Sequence, residues 1–113
     1  LSRLSEVEFS QPRALPAWAD IFSEFCLFVH PADEREEEMF LNRVKEFLTL
    51  HCQIASAESP LTSNLDITNV LVGQRYYCMK QQQNDKTRRV LEKSFGAEWT
   101  DRYRNTMLFD YVA

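Results

Sequence analysis

The chain has 113 residues, of which 44% are hydrophobic, 12% aromatic and 27% charged, with a formal net charge of −4 at pH 7. That length allows one domain or part of one, and an aromatic-rich chain with only two glycines is neither disordered nor of low complexity. No apolar run approaches the roughly 18 residues of a membrane span and no signal peptide is legible, so the expectation is a cytoplasmic protein without a membrane partner. Cys26, Cys52 and Cys78 form no CxxC pair. They read as reduced, buried thiols, not as a disulfide frame or a zinc site.

The net charge hides an asymmetry. Residues 75 to 104 carry eight basic groups (Arg75, Lys80, Lys86, Arg88, Arg89, Lys93, Arg102, Arg104) against four acidic ones. A basic end on an acidic chain reads as a face for an anionic ligand or an acidic partner. No nucleic-acid-binding motif is present, so nucleic acid is not an expected partner.

In chain order, Leu1 to Pro16 reads as extended chain, with Val7 and Phe9 alternating against Glu6, Glu8 and Ser10. Pro12 and Pro16 exclude continuous helix there, and Arg13 between them is placed to offer a guanidinium fork to a carboxylate. Trp18 follows, read as a packing residue. Ile21 to His30 is the clearest strand. Phe25, Leu27 and Val29 would point to one face and Phe22, Cys26 and Phe28 to the other, the pattern of a central strand between layers. Such a strand needs neighbours, and only Val7 to Ser10 offers one.

Pro31 ends that element and Asp33 starts a helix, with Glu36 placed as in a capping box. Phe40, Val44, Phe47, Leu48 and His51 then form one stripe at helical spacing. Ala55 to Ser63 reads as a loop. From Leu65 a second helix runs on, with Ile67, Val70, Leu71, Tyr77 and Cys78 as its expected buried side. It leads into Cys78-Met79-Lys80-Gln81-Gln82-Gln83-Asn84-Asp85-Lys86-Thr87, with a break near Asn84-Asp85. This stretch is polar where a core helix would be apolar. Its amides donate and accept, and Lys86, Arg88 and Arg89 add fixed charge, a surface suited to one wall of a pocket for a flat, polar-edged anion. The same residues also read as a solvated basic helix capped by Gly96. A last helix carries Trp99, Tyr103 and Met107, core by default, and then Leu108-Phe109-Asp110-Tyr111.

No glycine-rich phosphate loop, Gly-x-Ser-x-Gly, HExxH or dinucleotide fingerprint occurs. His30, His51 and Asp110 have no partners in any motif. Nothing in the composition or spacing assembles an active site.

Along Phe9-Ser10-Gln11-Pro12-Arg13, Trp18, Ile21 to Val29 and Lys80 to Gly96, however, the chain resembles the ferredoxin-dependent bilin reductases, most of all the phycocyanobilin-forming type. The resemblance covers nearly the whole chain and corresponds to the C-terminal half of that family's single domain. Because the chain also begins at Leu1 and not at a methionine, the expectation is a fragment whose N-terminal half is absent.

The resemblance implies an α+β fold, the C-terminal part of a three-layer α/β/α sandwich with a central antiparallel sheet. It implies reduction of biliverdin IXα to phycocyanobilin through radical intermediates. It implies that no metal, flavin or nicotinamide is bound and that electrons come from reduced ferredoxin, a [2Fe–2S] protein. Arg13 and Lys86 would hold the bilin propionates. Asn84, with Gln81, would face the pyrrole nitrogens, and Trp18, Thr87, Val90 and Leu108 would line the pocket. Arg75, Lys80, Arg88, Arg89 and Lys93 would dock ferredoxin. The family's proton donors lie upstream, so no catalytic residue is assigned here and the fragment is expected to be inactive alone, though monomeric in full-length form. Two other readings remain: a bilin-binding module without turnover, and a helical domain whose basic face binds acidic partners.

Overall fold

The computed structural model describes residues 1–110; Tyr111 of the C-terminal run lies outside the described residues. The order is a 3-10 turn at Ala17–Ala19, α1 at Glu34–Ala57, α2 at Asn64–Gln81, α3 at Asp85–Phe95, α4 at Ala97–Tyr103 and a π-helical turn at Arg104–Leu108. The chain divides into two compact units, one of Leu1–Leu15 with Phe22–Pro60, the other of Pro16–Ile21 with the chain from Leu61 onward.

The first unit is built on α1. Its N-cap is Asp33, whose Oδ1 accepts from Glu36 N–H at 2.8 Å, and Glu34, Glu36 and Glu37 sit at the positive end of the helix dipole. Glu36 does not close the expected capping box. Its carboxylate reaches outward instead, accepting from Ala32 N–H and from Ser10 N–H, each at 2.9 Å. Both bonds stabilise the ionised form and hold the carboxyl below its ordinary value of 4.5. Further along, Phe40 meets Phe9 edge-on with centroids 6.4 Å apart. The buried Arg43 donates to the carbonyl of Ser5, pairs with Glu46 at 2.9 Å and lies over Phe47. Successive turns of one helix thus grip residues 5 to 10.

The expected sheet is overturned. Among the described residues the β-type pairing is a single isolated antiparallel bridge between Pro12 and Val29. Arg13 N–H donates to Phe28 C=O at 2.8 Å and His30 N–H to Gln11 C=O at 2.9 Å. A strand persists only where neighbouring backbone completes its ladder. Here the neighbour is a short loop whose Pro12 lacks an N–H. Ser23 to Cys26, expected within the strand, is a turn closed by Cys26 N–H on Ser23 C=O at 3.0 Å. The α+β, three-layer expectation therefore gives way to a helical chain.

In the second unit the 3-10 turn packs on α2 through Ala19, the one hydrophobic residue buried among those described. Tyr76 O–H donates to Asp20 Oδ2 at 2.6 Å, and Lys80 Nζ lies 3.3 Å from the same oxygen. The Tyr76 hydrogen bond and the Lys80 ammonium hold the Asp20 carboxyl below its ordinary value, while Asp20 raises Lys80. Ser63 caps α2. At Gly96 the backbone takes φ +83°, the left-handed region that glycine tolerates, and joins α3 to α4. Arg88 ties the two helices, pairing with Glu92 at 2.7 Å and Asp101 at 2.6 Å.

The expected core faces are not closed. Ile67, Val70, Leu71 and Tyr77 of α2 are exposed, as are Val44 and Leu48 of α1. Trp99 stacks between Phe95 (4.4 Å) and Tyr103 (4.8 Å), yet it is 43% exposed and Met107 is 74% exposed. Helical spacing can place apolar residues on one face, but burying that face requires an apolar counterpart. Cys26 and Cys78 are half-buried free thiols; Cys52, expected to be buried, is exposed.

Candidate functional site

The polar stretch from Gln81 to Thr87 is the junction between α2 and α3. Its helix does break where expected. α2 ends at Gln81, and the N–H groups of Gln82, Gln83 and Asn84 bond back to Cys78, Lys80 and Gln81 at 3.0 Å each. Asn84 then starts α3 as its N-cap, Oδ1 accepting from Thr87 N–H at 3.2 Å. An N-cap uses only the carbonyl oxygen of the carboxamide. The Nδ2 group of Asn84 is left as a donor.

Gln81 lies on the other side of the break. It is buried, and its Nε2 donates to Tyr77 O–H at 3.0 Å. Tyr77 in turn meets Phe109 edge-on at 6.3 Å. Lys86 is exposed on the first turn of α3 and makes no ion pair among the described residues. Thr87 is half-buried, and Val90, one turn further, is exposed. Leu108 belongs to the π-helical turn, which returns to the junction: Gln82 Nε2 donates to Phe109 C=O at 2.8 Å. Trp18 sits, half-buried, on the 3-10 turn of the same unit.

Arg13 belongs to the first unit. Its backbone is held by the bridge to Phe28, and its guanidinium lies 5.0 Å from the centre of the Phe28 ring, exposed and without a carboxylate partner among the described residues. Stacking on an aromatic face leaves the edge of the guanidinium free to donate.

The basic residues sort into two kinds. Lys80 and Arg88 are held in the ion pairs described above, and Glu92 together with Asp101 keeps Arg88 firmly cationic. Arg75, Arg89 and Lys93 are exposed. Arg102 is exposed as well, whereas Arg104 is 2% exposed and donates through Nη2 to Gln81 C=O at 3.0 Å and Gln82 C=O at 2.7 Å. Sequence reasoning counted it only as one more surface charge. No local signal distinguishes an arginine that will be buried.

Among the described residues no group of three or more His, Cys, Asp or Glu side chains comes together as a metal site. Among the same residues no helix is long and apolar enough to cross a membrane.

Comparison with known proteins matches residues 1–110 to the family described as ferredoxin-dependent bilin reductase. The chain is 54% identical over 110 residues to the phycocyanobilin:ferredoxin oxidoreductases of Synechococcus sp. and Synechococcus elongatus. It is 51% identical to that of Trichodesmium erythraeum. Each alignment covers 97% of this chain and 44% of the relative, so the chain spans less than half the length of the curated relatives it matches.

Proposed function

We propose that this chain, which belongs to the ferredoxin-dependent bilin reductase family, supplies the bilin-holding wall of an enzyme that reduces biliverdin IXα to phycocyanobilin with electrons from ferredoxin. The observation that carries the reading is the first turn of α3. There Asn84 caps the helix with one half of its amide and leaves the other half for a ligand, two residues before the ammonium of Lys86, which has no ion pair among the described residues.

A bilin is a flat, conjugated chain of four pyrrole-type rings with two propionate tails. Lys86 and Arg13 are the cations assigned to those tails, by charge-assisted hydrogen bonds. Asn84 is assigned to the polar centre of the tetrapyrrole. Gln81, buried behind the junction and engaged with Tyr77, supports that centre from within the helix end. Trp18, Thr87, Val90 and Leu108 provide apolar lining. Proton delivery is assigned to no residue of this chain, because general acid chemistry needs a titratable group within hydrogen-bond reach of the substrate.

Ferredoxin docking is assigned to Arg75, Arg89 and Lys93, whose charges face solvent. Lys80 and Arg88 add less, since intramolecular carboxylates neutralise them. Complementary charge of this kind raises the on-rate more than the affinity.

The test is a visible-absorption titration of biliverdin into the chain, followed by anaerobic addition of reduced ferredoxin. Biliverdin binding is expected, and the double variant Arg13→Ala/Lys86→Ala should weaken it at least about tenfold, the scale of losing charged hydrogen bonds. Unchanged affinity in that variant would sink the propionate assignment. Binding without reduction would favour a pigment-holding module over a self-sufficient reductase.

A further inference from the structure

We infer that Arg104 is the positioning residue of the α2–α3 junction, capping the last carbonyls of α2 and so fixing the turn from which Asn84 and Lys86 are presented. The inference rests on the reading of that turn as a bilin-holding wall.

A helix end leaves its last four carbonyls without intrahelical partners. Helices commonly solve this with a glycine in the left-handed region. At the end of α2 no such residue exists: the only positive φ among the described residues is at Gly96, and Gln82 continues in right-handed geometry at φ −63° and ψ −19°. The chain must nevertheless stop one helix at Gln81 and cap the next at Asn84. Gln81 C=O already accepts from Asn84 N–H at 3.0 Å, and Arg104 adds a charged donor to it and to the carbonyl of the C-cap residue Gln82. One guanidinium nitrogen reaches both Gln81 C=O and Gln82 C=O, at the negative end of the α2 dipole.

The arrangement is locked from both sides. Burial disfavours the charged guanidinium and lowers its pKa, yet arginine does not deprotonate in proteins. The cation must therefore keep its acceptors, and no carboxylate lies within ion-pair distance of it among the described residues. Thr100, one turn earlier on α4, is fully buried. Arg104 also opens the π-helical turn, where Phe109 N–H bonds to Arg104 C=O at 2.8 Å while Phe109 C=O accepts from Gln82. A π turn is rarely kept without a geometric purpose. Here it aims a guanidinium at the helix end and brings a carbonyl back to the same turn.

The experiment compares Arg104→Met, which removes both donors, with Arg104→Gln, which retains one neutral donor, in the 113-residue chain. Arg102→Met removes a neighbouring exposed charge as a control. Amide hydrogen exchange from Gln82 to Thr87 and the biliverdin titration are read together. Arg104→Met should speed exchange there and weaken biliverdin about tenfold or more, by the usual weight of charged hydrogen bonds. Arg104→Gln should fall between, and Arg102→Met should match the parent in both. Where Arg104→Met lacks the parent's far-UV helicity, Arg104→Gln decides. Parental exchange, or parental affinity in a chain that binds biliverdin, overturns the positioning role. Failure of the parent to bind biliverdin overturns the bilin reading on which it rests, and the exchange data still decide whether Arg104 caps α2.

Discussion

Each unit of this protein buries one arginine against backbone carbonyls, and the two do so on different electrostatic terms. Arg43 in the first unit donates to Ser5 C=O but also pairs with Glu46, so its charge is balanced on its own helix. Arg104 in the second has no carboxylate that close among the described residues and is held by the Gln81 and Gln82 carbonyls. The first arrangement anchors an extended segment along the side of a helix. The second ends one helix and sets the start of another. Where an anchor has its own counter-ion, losing its target leaves a neutral pair; where it has none, cation and carbonyls depend on each other.

The sharpest way to break the comparison is to remove each arginine in turn. Arg104→Met should destabilise the second unit by about 3 kcal/mol, two charged hydrogen bonds' worth, read by urea unfolding followed through Trp18 and Trp99 fluorescence. Arg43→Met should cost about half that, roughly 1.5 kcal/mol, because Glu46 is half exposed and rehydrates when freed. Amide exchange in α1 measures it. Equal costs would remove the distinction between paired and unpaired burial.

The two N-caps sharpen it at a smaller scale. Asp33→Ala and Asn84→Ala should each cost about 1 kcal/mol of helix stability, the ordinary weight of a cap. Only Asn84→Ala should also reduce biliverdin affinity. If both variants bind pigment like the parent, Asn84 is a cap and nothing more.

The smallest difference is in pH response. The Glu36 carboxyl is held below its ordinary value, so its contribution is complete above pH 4.5 and is lost as pH falls through the lowered folded-state value. Asp20 behaves likewise in acid, but its partner Lys80 has the opposite sign. That contribution is complete below 10.5 and is lost as pH rises through the raised value. The amides of Ser10 and Ala32 should therefore report release only in acid, while Tyr76 and its surroundings should report change at both extremes. NMR chemical shifts across pH would check this, and an alkaline response at Ser10 would contradict it.

What was legible in advance follows the range of the interactions. Asp33 as a cap, Gly96 as a helix stop and the break near Asn84 all depend on residues within one turn of each other, and each stands where the spacing put it. The strand at Ile21 to His30 failed for the opposite reason. Its alternation was genuine, but a strand is completed by distant backbone, and here the partner extends over one bridge at Pro12 and Val29. The stripes read on α1 and α2 were wrongly assumed to be covered, since Val44, Leu48, Ile67, Val70 and Leu71 are exposed.

The site divides in the same way. Composition concentrated amides and cations at residues 80 to 93 because type and order are written in the chain, and the likeness to bilin reductases follows from that order alone. Which cations remain available was decided by tertiary structure. Lys80 is drawn to an aspartate that lies 60 positions earlier in the chain, Arg88 joins α3 to α4, and Arg104 is buried. A lysine or arginine has the same charge wherever it stands. Only the carboxylates and carbonyls that the fold brings to it determine whether that charge caps a helix, neutralises a neighbour or waits for a ligand.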